Sequence, residues 1–115
     1  MNDQIAPDGW ALTGDTVERL DESALGCWLA TTHGSRHVWE IAPGGVHWTR
    51  MPGDGRAHFD GDAERQLLTS IERWPVVGDK FLIWFDSWLT DEWRLSSTIR
   101  SIERLERAPT IARNL

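Results

Sequence analysis

The stretch Cys27–Met51, CWLATTHGSRHVWEIAPGGVHWTRM, decides the fold of this chain. Its first turn is His33-Gly34, a two-residue step in which the glycine can take a positive φ. Its second turn is the Ala-Pro-Gly-Gly run at 42–45. The turns leave three β-rich runs, which predict a three-stranded antiparallel meander: Cys27–Thr32, Arg36–Ile41 and Val46–Met51.

The turn lengths also predict the register of this meander. Trp28 then faces Trp39, and Trp39 faces Trp48, so three tryptophans lie in one row on one face. A slip of one residue would send them to opposite faces, so their alignment supports the register. On the same face we expect a row of Ala30, His37 and Arg50 and a pair of Ile41 with Val46, and on the other face Leu29, Val38 and Thr49, with Glu40 opposite His47.

The remaining sequence predicts one domain with looser ends. At 115 residues the chain has a usual size for a single domain. Residues 1–15 carry few apolar anchors, so we expect a loosely ordered N-terminal arm. Thr16–Leu25 has a partial apolar face that stops at Gly26, which predicts a short helix. The β-rich domain then spans 16–107, and a frayed tail follows at 108–115.

Three segments downstream of the meander complete the predicted sheet. Residues 62–74 fit either a helix or a buried strand. Lys80–Trp88 is apolar on both faces and predicts a central strand, and Leu89–Glu92 turns the chain. A further strand is expected from Trp93 through about Ile102. The sequence thus predicts a mainly β fold, with α+β as the alternative: a meander sheet of about five or six strands with one short helix.

Three motifs give the chain a resemblance to a group of proteins. They are Thr32–Ser35 leading into Val38–Ile41, then Trp74–Asp79, and finally Ser96–Glu103. In this order they resemble small β-rich proteins encoded by actinobacteria and their phages, over about Cys27–Leu105. The resemblance implies a small, partly open SH3-like barrel and an origin in a mobile element, and it brings no catalytic motif.

Charge and composition narrow the class of partner. The formal net charge of −6 disfavours general binding to nucleic acid or to acidic membrane surfaces. The cations are unevenly spread, because five arginines lie between Arg94 and Arg113. The lone Cys27 excludes an internal disulfide and fits a reducing compartment. Residues 1–11 lack a signal-peptide pattern and no apolar run has the length of a membrane span, so we expect a cytoplasmic protein.

No catalytic or metal-binding constellation stands out. Cys27 faces Glu40 in the predicted register, and a neighbouring carboxylate raises a thiol pKa rather than lowering it. His33 and His37 lie on either side of a turn, not on one helical face, and no carboxylate completes a ligand set. The acidic spacing at 60–64 lacks the glycine and glutamate that an EF-hand loop needs. We therefore predict no catalytic residue, no metal site and no cofactor.

Tryptophan is the unusual component, with eight residues in this chain and no tyrosine. Four tryptophans, Trp28, Trp39, Trp48 and Trp84, are expected to fill the interior. We expect the surplus at a recognition surface, because exposed aromatic residues are enriched there. His37 beside Arg50 forms a second candidate site, since burying such a pair is costly and that end of the face should open to solvent. The predicted binding residues are Trp10, Trp74, Trp88, Trp93, His37 and Arg50.

These observations favour a non-enzymatic protein-interaction module, a phage or prophage accessory factor that acts on a host protein. One alternative is nucleic-acid binding through exposed tryptophan and the Arg94–Arg113 cations. The other is a small enzyme of undefined reaction that uses His37 and Arg50, with Glu40 and His47 on the opposite face. The sequence leaves the ligand, the partner and the oligomeric state open.

Overall fold

An open antiparallel sheet makes up the described part of this chain, which is residues 6–7, 9–52, 64–87 and 90–108 of a computed structural model. The sheet order is β1-β8-β2-β3-β4-β5-β6-β7. These ranges contain no helix, so the mainly β prediction is confirmed, whereas about five or six strands with one short helix is wrong. The eight strands are β1 (Trp10–Thr16), β2 (Gly26–Thr32), β3 (Ser35–Ala42), β4 (Gly45–Pro52), β5 (Gln66–Arg73), β6 (Leu82–Asp86), β7 (Asp91–Leu95) and β8 (Ile99–Arg107).

Strands β2, β3 and β4 form the predicted meander in the predicted register. Trp28 pairs with Trp39, and Trp39 pairs with Trp48, which confirms the row of three tryptophans. Ala42 and Gly45 also pair, so the second turn is tighter than the four-residue loop that the sequence suggests. The other predicted rows are confirmed as well: Ala30 with His37, His37 with Arg50, Ile41 with Val46, Leu29 with Val38, Val38 with Thr49, and Glu40 with His47.

The main core lies between the tryptophan-bearing face of the meander and strand β6. Trp28 and Trp48 are buried, and Trp39, Phe81 and Ile83 are fully so. The Phe81 ring stands edge-on to the Trp39 ring, with centroids 5.1 Å apart. This contact joins the first and second halves of the sheet. A second, smaller cluster covers the opposite face: Leu29, Val38 and Leu105, with Trp10, Leu12 and Cys27 packed against them.

Residues 16–25, predicted as a short helix, form an extended connection instead. Leu20 N donates a hydrogen bond to Pro75 O over 2.9 Å, so this main-chain group bonds to the segment before β6. Asp21 Oδ1 accepts from Ser23 N at 2.8 Å, and such a local side-chain turn competes with helical hydrogen bonding. Tertiary bonds therefore override the partial apolar periodicity of this segment.

Strand β1 occupies residues that the sequence assigns to the loose arm. Trp10 pairs with Arg107 and Leu12 pairs with Leu105. These two apolar residues are enough to anchor β1, because both pack on the second cluster. Strand pairing thus begins at Trp10 rather than at residue 16. The predicted end of the domain at residue 107 stays a prediction. The rest of the predicted arm and tail, residues 1–5, 8 and 109–115, lies outside the described residues.

Strands β5 and β6 lie in the two segments that the sequence predicts as helix or strand (62–74) and as a central strand (Lys80–Trp88). The strand alternative for 62–74 is correct over Gln66–Arg73, but Leu67 is 54% exposed and the strand is not buried. Strand β6 lies between β5 and β7, as a central strand should. Its burial alternates, however, and Trp84, which we expected in the interior, is only half-buried on the outer face.

The strand predicted from Trp93 through about Ile102 is two strands, β7 and β8. Residues 96–98 are Ser-Ser-Thr between the apolar residues Leu95 and Ile99, and because such residues also suit a strand, they hide the break. Ser96 makes the break, because its Oγ accepts from Phe81 N at 2.9 Å and donates to Ser97 O at 2.8 Å. The chain then leaves the β7 edge and enters the gap between β1 and β2 as β8.

Gly26, where β2 begins, has a backbone conformation that favours glycine. Its φ of +120 is unfavourable for a residue with a side chain, and an added Cβ would lie 2.9 Å from Arg104 Nη2. We expect Gly26→Ala to lower the free energy of unfolding by about 1–3 kcal/mol, mainly through backbone strain. Gly44→Ala is the matched control, because nothing lies within 4 Å of its Cβ position, and it should change stability by less than about 0.5 kcal/mol. Urea denaturation of both variants measures the difference.

Asp86 and Asp91 face each other at the end of the β6–β7 hairpin. The hydrogen bond and the charge of Asp91 raise the pKa of Asp86. Above that pKa the folded state carries a repulsion that the unfolded chain lacks, so Asp91→Asn should increase stability at neutral pH. The gain should shrink as pH falls through the raised pKa of Asp86 and disappear below the ordinary pKa of aspartate.

Urea denaturation across a pH series measures this effect, and Asp79→Asn supplies a control of opposite sign. Hydrogen bonds from Lys80 N and Arg73 lower the pKa of Asp79, so this substitution should cost stability at neutral pH. A stabilising effect of Asp91→Asn that does not depend on pH would contradict the electrostatic explanation.

Candidate functional site

A cavity of about 430 Å³ opens where the two halves of the sheet meet. The β2–β3 turn forms one wall, and the β7–β8 connection forms the opposite wall. His37, Trp48 and Phe81 line the aromatic floor, and Arg50 and Arg94 contribute the cationic lining. His37 and Arg50 thus lie together at an open end of the tryptophan-bearing face. We call this space the His37–Arg50 cavity.

Three side chains that line the cavity form a directed chain of hydrogen bonds that continues to Thr32. Trp48 Nε1 lies 3.1 Å from His37 Nδ1, and an indole nitrogen can only donate. His37 Nδ1 is therefore the acceptor and the ring proton sits on Nε2, which donates to Ser35 Oγ over 3.0 Å. Ser35 Oγ is then left to donate to Thr32 Oγ1 at 3.1 Å, and Thr32 Oγ1 donates to Ser35 O at 3.1 Å.

This directed chain bears on what His37 can do chemically. To activate the Ser35 hydroxyl as a nucleophile, His37 would have to accept its proton at Nε2. In the observed arrangement Nε2 already carries a proton, and no carboxylate orients Nδ1, because Trp48 occupies it. His37 is also 3% exposed and packs edge-on to Phe81 with centroids 4.9 Å apart. The arrangement fits a rigid binding wall better than a Ser–His catalytic pair.

The cationic side of the cavity comes from two separate strands. Arg50 lies on β4 beside His37, and Arg94 lies on β7. Arg94 pairs with Glu92 at 3.1 Å and lies over the Phe85 ring at 5.3 Å. Its Nη1 also donates to Trp93 O over 3.0 Å, so contacts on β7 position this guanidinium at the cavity. Of the described residues that line the cavity, none is acidic.

A second cavity, of about 380 Å³, lies on the other face beside Cys27, Glu40 and His47. Glu40 bonds to Arg65 at 3.0 Å and lies 3.9 Å from Arg107, so its carboxylate is held by cations. Burial raises the pKa of the Cys27 thiol, and the charge of Glu40 raises it further, in the direction expected from the sequence. A raised pKa reduces the thiolate fraction, which disfavours nucleophilic chemistry at this site.

The predicted tryptophan surface does not come together as one patch. Trp10 lies on the second cluster with Arg107 stacked 4.0 Å above its ring. Trp74 packs into the main core, 6.0 Å from Trp39. Trp93 is 54% exposed on β7, far along the sheet order from β1. Trp88 lies outside the described residues.

An exposed apolar face does exist, on the β6–β7 hairpin. Trp84 pairs with Trp93, and Leu82 pairs with Leu95, so the four side chains form two adjacent rows on the outer face. Trp93 and Leu95 are about half exposed, at 54% and 49%. Trp84 Nε1 also donates to Glu72 on β5. The sequence pointed to Trp93 but not to its neighbours, because that face depends on the β6–β7 register.

The cations between Arg94 and Arg113 also separate in the structure. Arg104 stacks on Trp28 at 5.1 Å, whereas Arg107 stacks on Trp10, which packs on the opposite cluster. Arg113 lies outside the described residues. The cations that are described therefore do not form a single stripe along one face.

The described ranges contain neither a metal-binding cluster nor a membrane-spanning helix. No group of three or more His, Cys, Asp or Glu side chains is arranged there to hold a metal ion. Those ranges also hold no helix with the length and apolarity to cross a membrane. No protein-family model, curated protein or solved structure matches this chain, so the resemblance to actinobacterial and phage proteins remains a prediction.

Sequence reasoning found two members of the His37–Arg50 cavity and missed the other wall. Phe81, Arg94 and Ser96 come from segments that only the tertiary fold brings to His37. The available signal was the pairing of His37 with Arg50 next to the tryptophan row, which marks an open end of that face. Nothing in the sequence spacing indicates which distant segment closes the cavity.

Proposed function

We propose that this chain is a non-enzymatic binding module whose ligand carries a carboxylate on a flat apolar body. The observation that carries the proposal is the His37–Arg50 cavity, which Arg50 and Arg94 line together with the aromatic residues Trp48 and Phe81. Concave sites with apolar walls and a few convergent polar groups are the usual form of ligand sites. An arginine pair selects a planar anion, because the guanidinium fork matches a carboxylate.

Support for binding rather than catalysis comes from the floor of the cavity. His37 is held by Trp48 on one side and Ser35 on the other, at 3.1 and 3.0 Å, so its orientation and tautomer are set before any ligand arrives. Pre-organised side chains lower the entropy cost of binding. The same hydrogen bonds use the two ring nitrogens that acid–base chemistry would need.

The protein-interaction hypothesis takes a specific form at this site. A polypeptide that ends in an aromatic residue presents the same chemistry as a free aryl carboxylic acid. The proposal also includes a host protein as the partner and a phage or prophage accessory role. It further includes a fold relationship to SH3-like proteins and a cytoplasmic location. The nucleic-acid alternative is less favoured, because Arg104 and Arg107 stack on Trp28 and Trp10 rather than lining one groove.

Calorimetric titration with N-acetylphenylalanine and its uncharged amide tests the proposal. We expect the acid to bind and the amide to bind at least about tenfold more weakly, since a charged hydrogen bond is lost. Arg50→Gln should weaken binding of the acid by a similar factor, while Arg100→Gln, outside the cavity, should leave it unchanged. A short peptide with the same C-terminal residue then separates a protein partner from a free acid.

Two results would overturn the proposal. One is equal binding of the acid and the amide, which would mean that the arginines select no anion. The other is the absence of saturable binding by the acid and by the peptide at millimolar concentration.

A further inference from the structure

Strand β7 is an edge of the sheet. It pairs with β6 on one side, and no other described strand pairs with it. An edge strand presents unpaired N–H and C=O groups and readily adds another strand. The outer face of this edge also carries Trp93 and Leu95, which are 54% and 49% exposed. Polar main chain and apolar side chains are therefore exposed at the same place.

The hydrogen-bond phase of the hairpin shows which groups of β7 point outward. Ser87 N donates to Thr90 O at 2.8 Å at one end, and Ser96 N donates to Phe81 O at 3.0 Å at the other. Bonded and non-bonded pairs alternate along an antiparallel ladder. Counting inward from both ends, Glu92 and Arg94 bond to β6. The outward main-chain groups belong to Asp91, Trp93 and Leu95.

We propose that two copies of this chain pair through β7, antiparallel and centred on Trp93. In that register Glu92 of each copy lies opposite Arg94 of the other, which gives two cross-strand pairs of opposite charge. A register centred on Glu92 would oppose two carboxylates, and one centred on Arg94 would oppose two guanidinium groups. The charge pattern therefore selects one register and one occupant, a second copy.

The main-chain and apolar groups agree with this register. Trp93 O accepts from Arg94 Nη1 at 3.0 Å within the chain, and a carbonyl oxygen has a second lone pair that can accept from Trp93 N of the second copy. The outward groups of Asp91 bond to those of Leu95 in the second copy. The two Trp93 rings then lie side by side on one outer face, a favourable cross-strand pair. The pairing does not require Arg94 to lack a partner. Its 3.1 Å ion pair with Glu92 within the chain becomes part of an alternating ring of four charges.

Sedimentation equilibrium of the full chain, from micromolar to millimolar concentration, tests the proposal. We expect a reversible dimer for the wild type. Glu92→Arg or Arg94→Glu alone would place like charges opposite each other twice and should raise the dimer dissociation constant about tenfold or more. The combined swap, Glu92→Arg with Arg94→Glu, restores opposite charges in both pairs and should recover most of the dimer.

Trp93→Pro supplies a test that does not depend on charge. Its outward N–H is not used by β6, so proline should leave the hairpin folded and still block pairing with a second copy. Far-UV circular dichroism checks that each variant is folded. A wild type that stays monomeric at millimolar concentration would overturn the proposal, and so would a dimer that survives Trp93→Pro. Trp93 does not line the His37–Arg50 cavity and the measurements contain no ligand, so a failure here is distinguishable from a failure of the binding proposal.

Discussion

Replacement of Trp39 by alanine is expected to lower the free energy of unfolding by about 3–5 kcal/mol, a large share of the stability of a small domain. Trp39 is fully buried and pairs with both Trp28 and Trp48. Its ring also meets Phe81 edge-on, so it bridges the two halves of the sheet. Truncation would open a void at a contact that both halves share.

Urea denaturation followed by circular dichroism measures this loss, and two further variants keep the test decisive. Trp39→Phe should cost less than about 2 kcal/mol, because it retains a ring and removes the Trp39 Nε1–H, which is buried with no hydrogen-bond partner among the described residues. Trp93→Ala, measured at low protein concentration, should cost at most about 1 kcal/mol, since this ring is half exposed. Equal losses at Trp39 and Trp93 would contradict the assignment of the core.

The meander could be predicted from the sequence because its determinants are local. The His33-Gly34 turn sets which residues of β2 and β3 face each other, and the tryptophan row marks the face that packs into the main core. Both signals lie within Cys27–Met51. The pairing of β8 with β1 and β2 is non-local and leaves no comparable trace.

Strand β8 shows why the topology could not be predicted in the same way. It follows β7 in sequence but inserts between β1 and β2, so its neighbours are far away along the chain. The same insertion explains the missed strand β1, which has few apolar residues and is held by β8. A segment whose partners lie far away in sequence looks like a loose arm when it is considered alone.

The two walls of the candidate site differ in the same way, because one depends on local pairing and the other on the non-local topology. His37 and Arg50 were predicted together because they are cross-strand neighbours in the meander. The opposite wall comes from Arg94 on β7 and from Ser96 in the β7–β8 connection, whose position depends on the non-local topology. Surplus tryptophan proved a poor guide to one surface, because Trp10 and Trp74 pack on different clusters.

A double-mutant cycle on His37 and Trp48 is expected to show strong coupling between the two residues. His37→Phe keeps a ring against Phe81 but leaves the Trp48 Nε1–H buried without an acceptor, which costs about 1–3 kcal/mol. Trp48→Phe leaves His37 Nδ1 without a donor. The double variant removes both partners, so it should be more stable than the sum of the single losses predicts by about 0.5–3 kcal/mol.

This cycle also tests the tautomer of His37 on which the binding proposal depends. Both substitutions keep an aromatic ring, so the stacking of His37 on Trp48, with centroids 5.9 Å apart, is largely retained in all four proteins. If Trp48 did not donate to Nδ1, the losses would therefore add to within about 0.5 kcal/mol. Urea denaturation of the four proteins provides the comparison. Ser35→Ala is the matched control, because it removes the acceptor of Nε2 and leaves the Trp48 bond in place. Coupling between Ser35→Ala and Trp48→Phe should therefore be smaller, since Ser35 contacts His37 rather than Trp48.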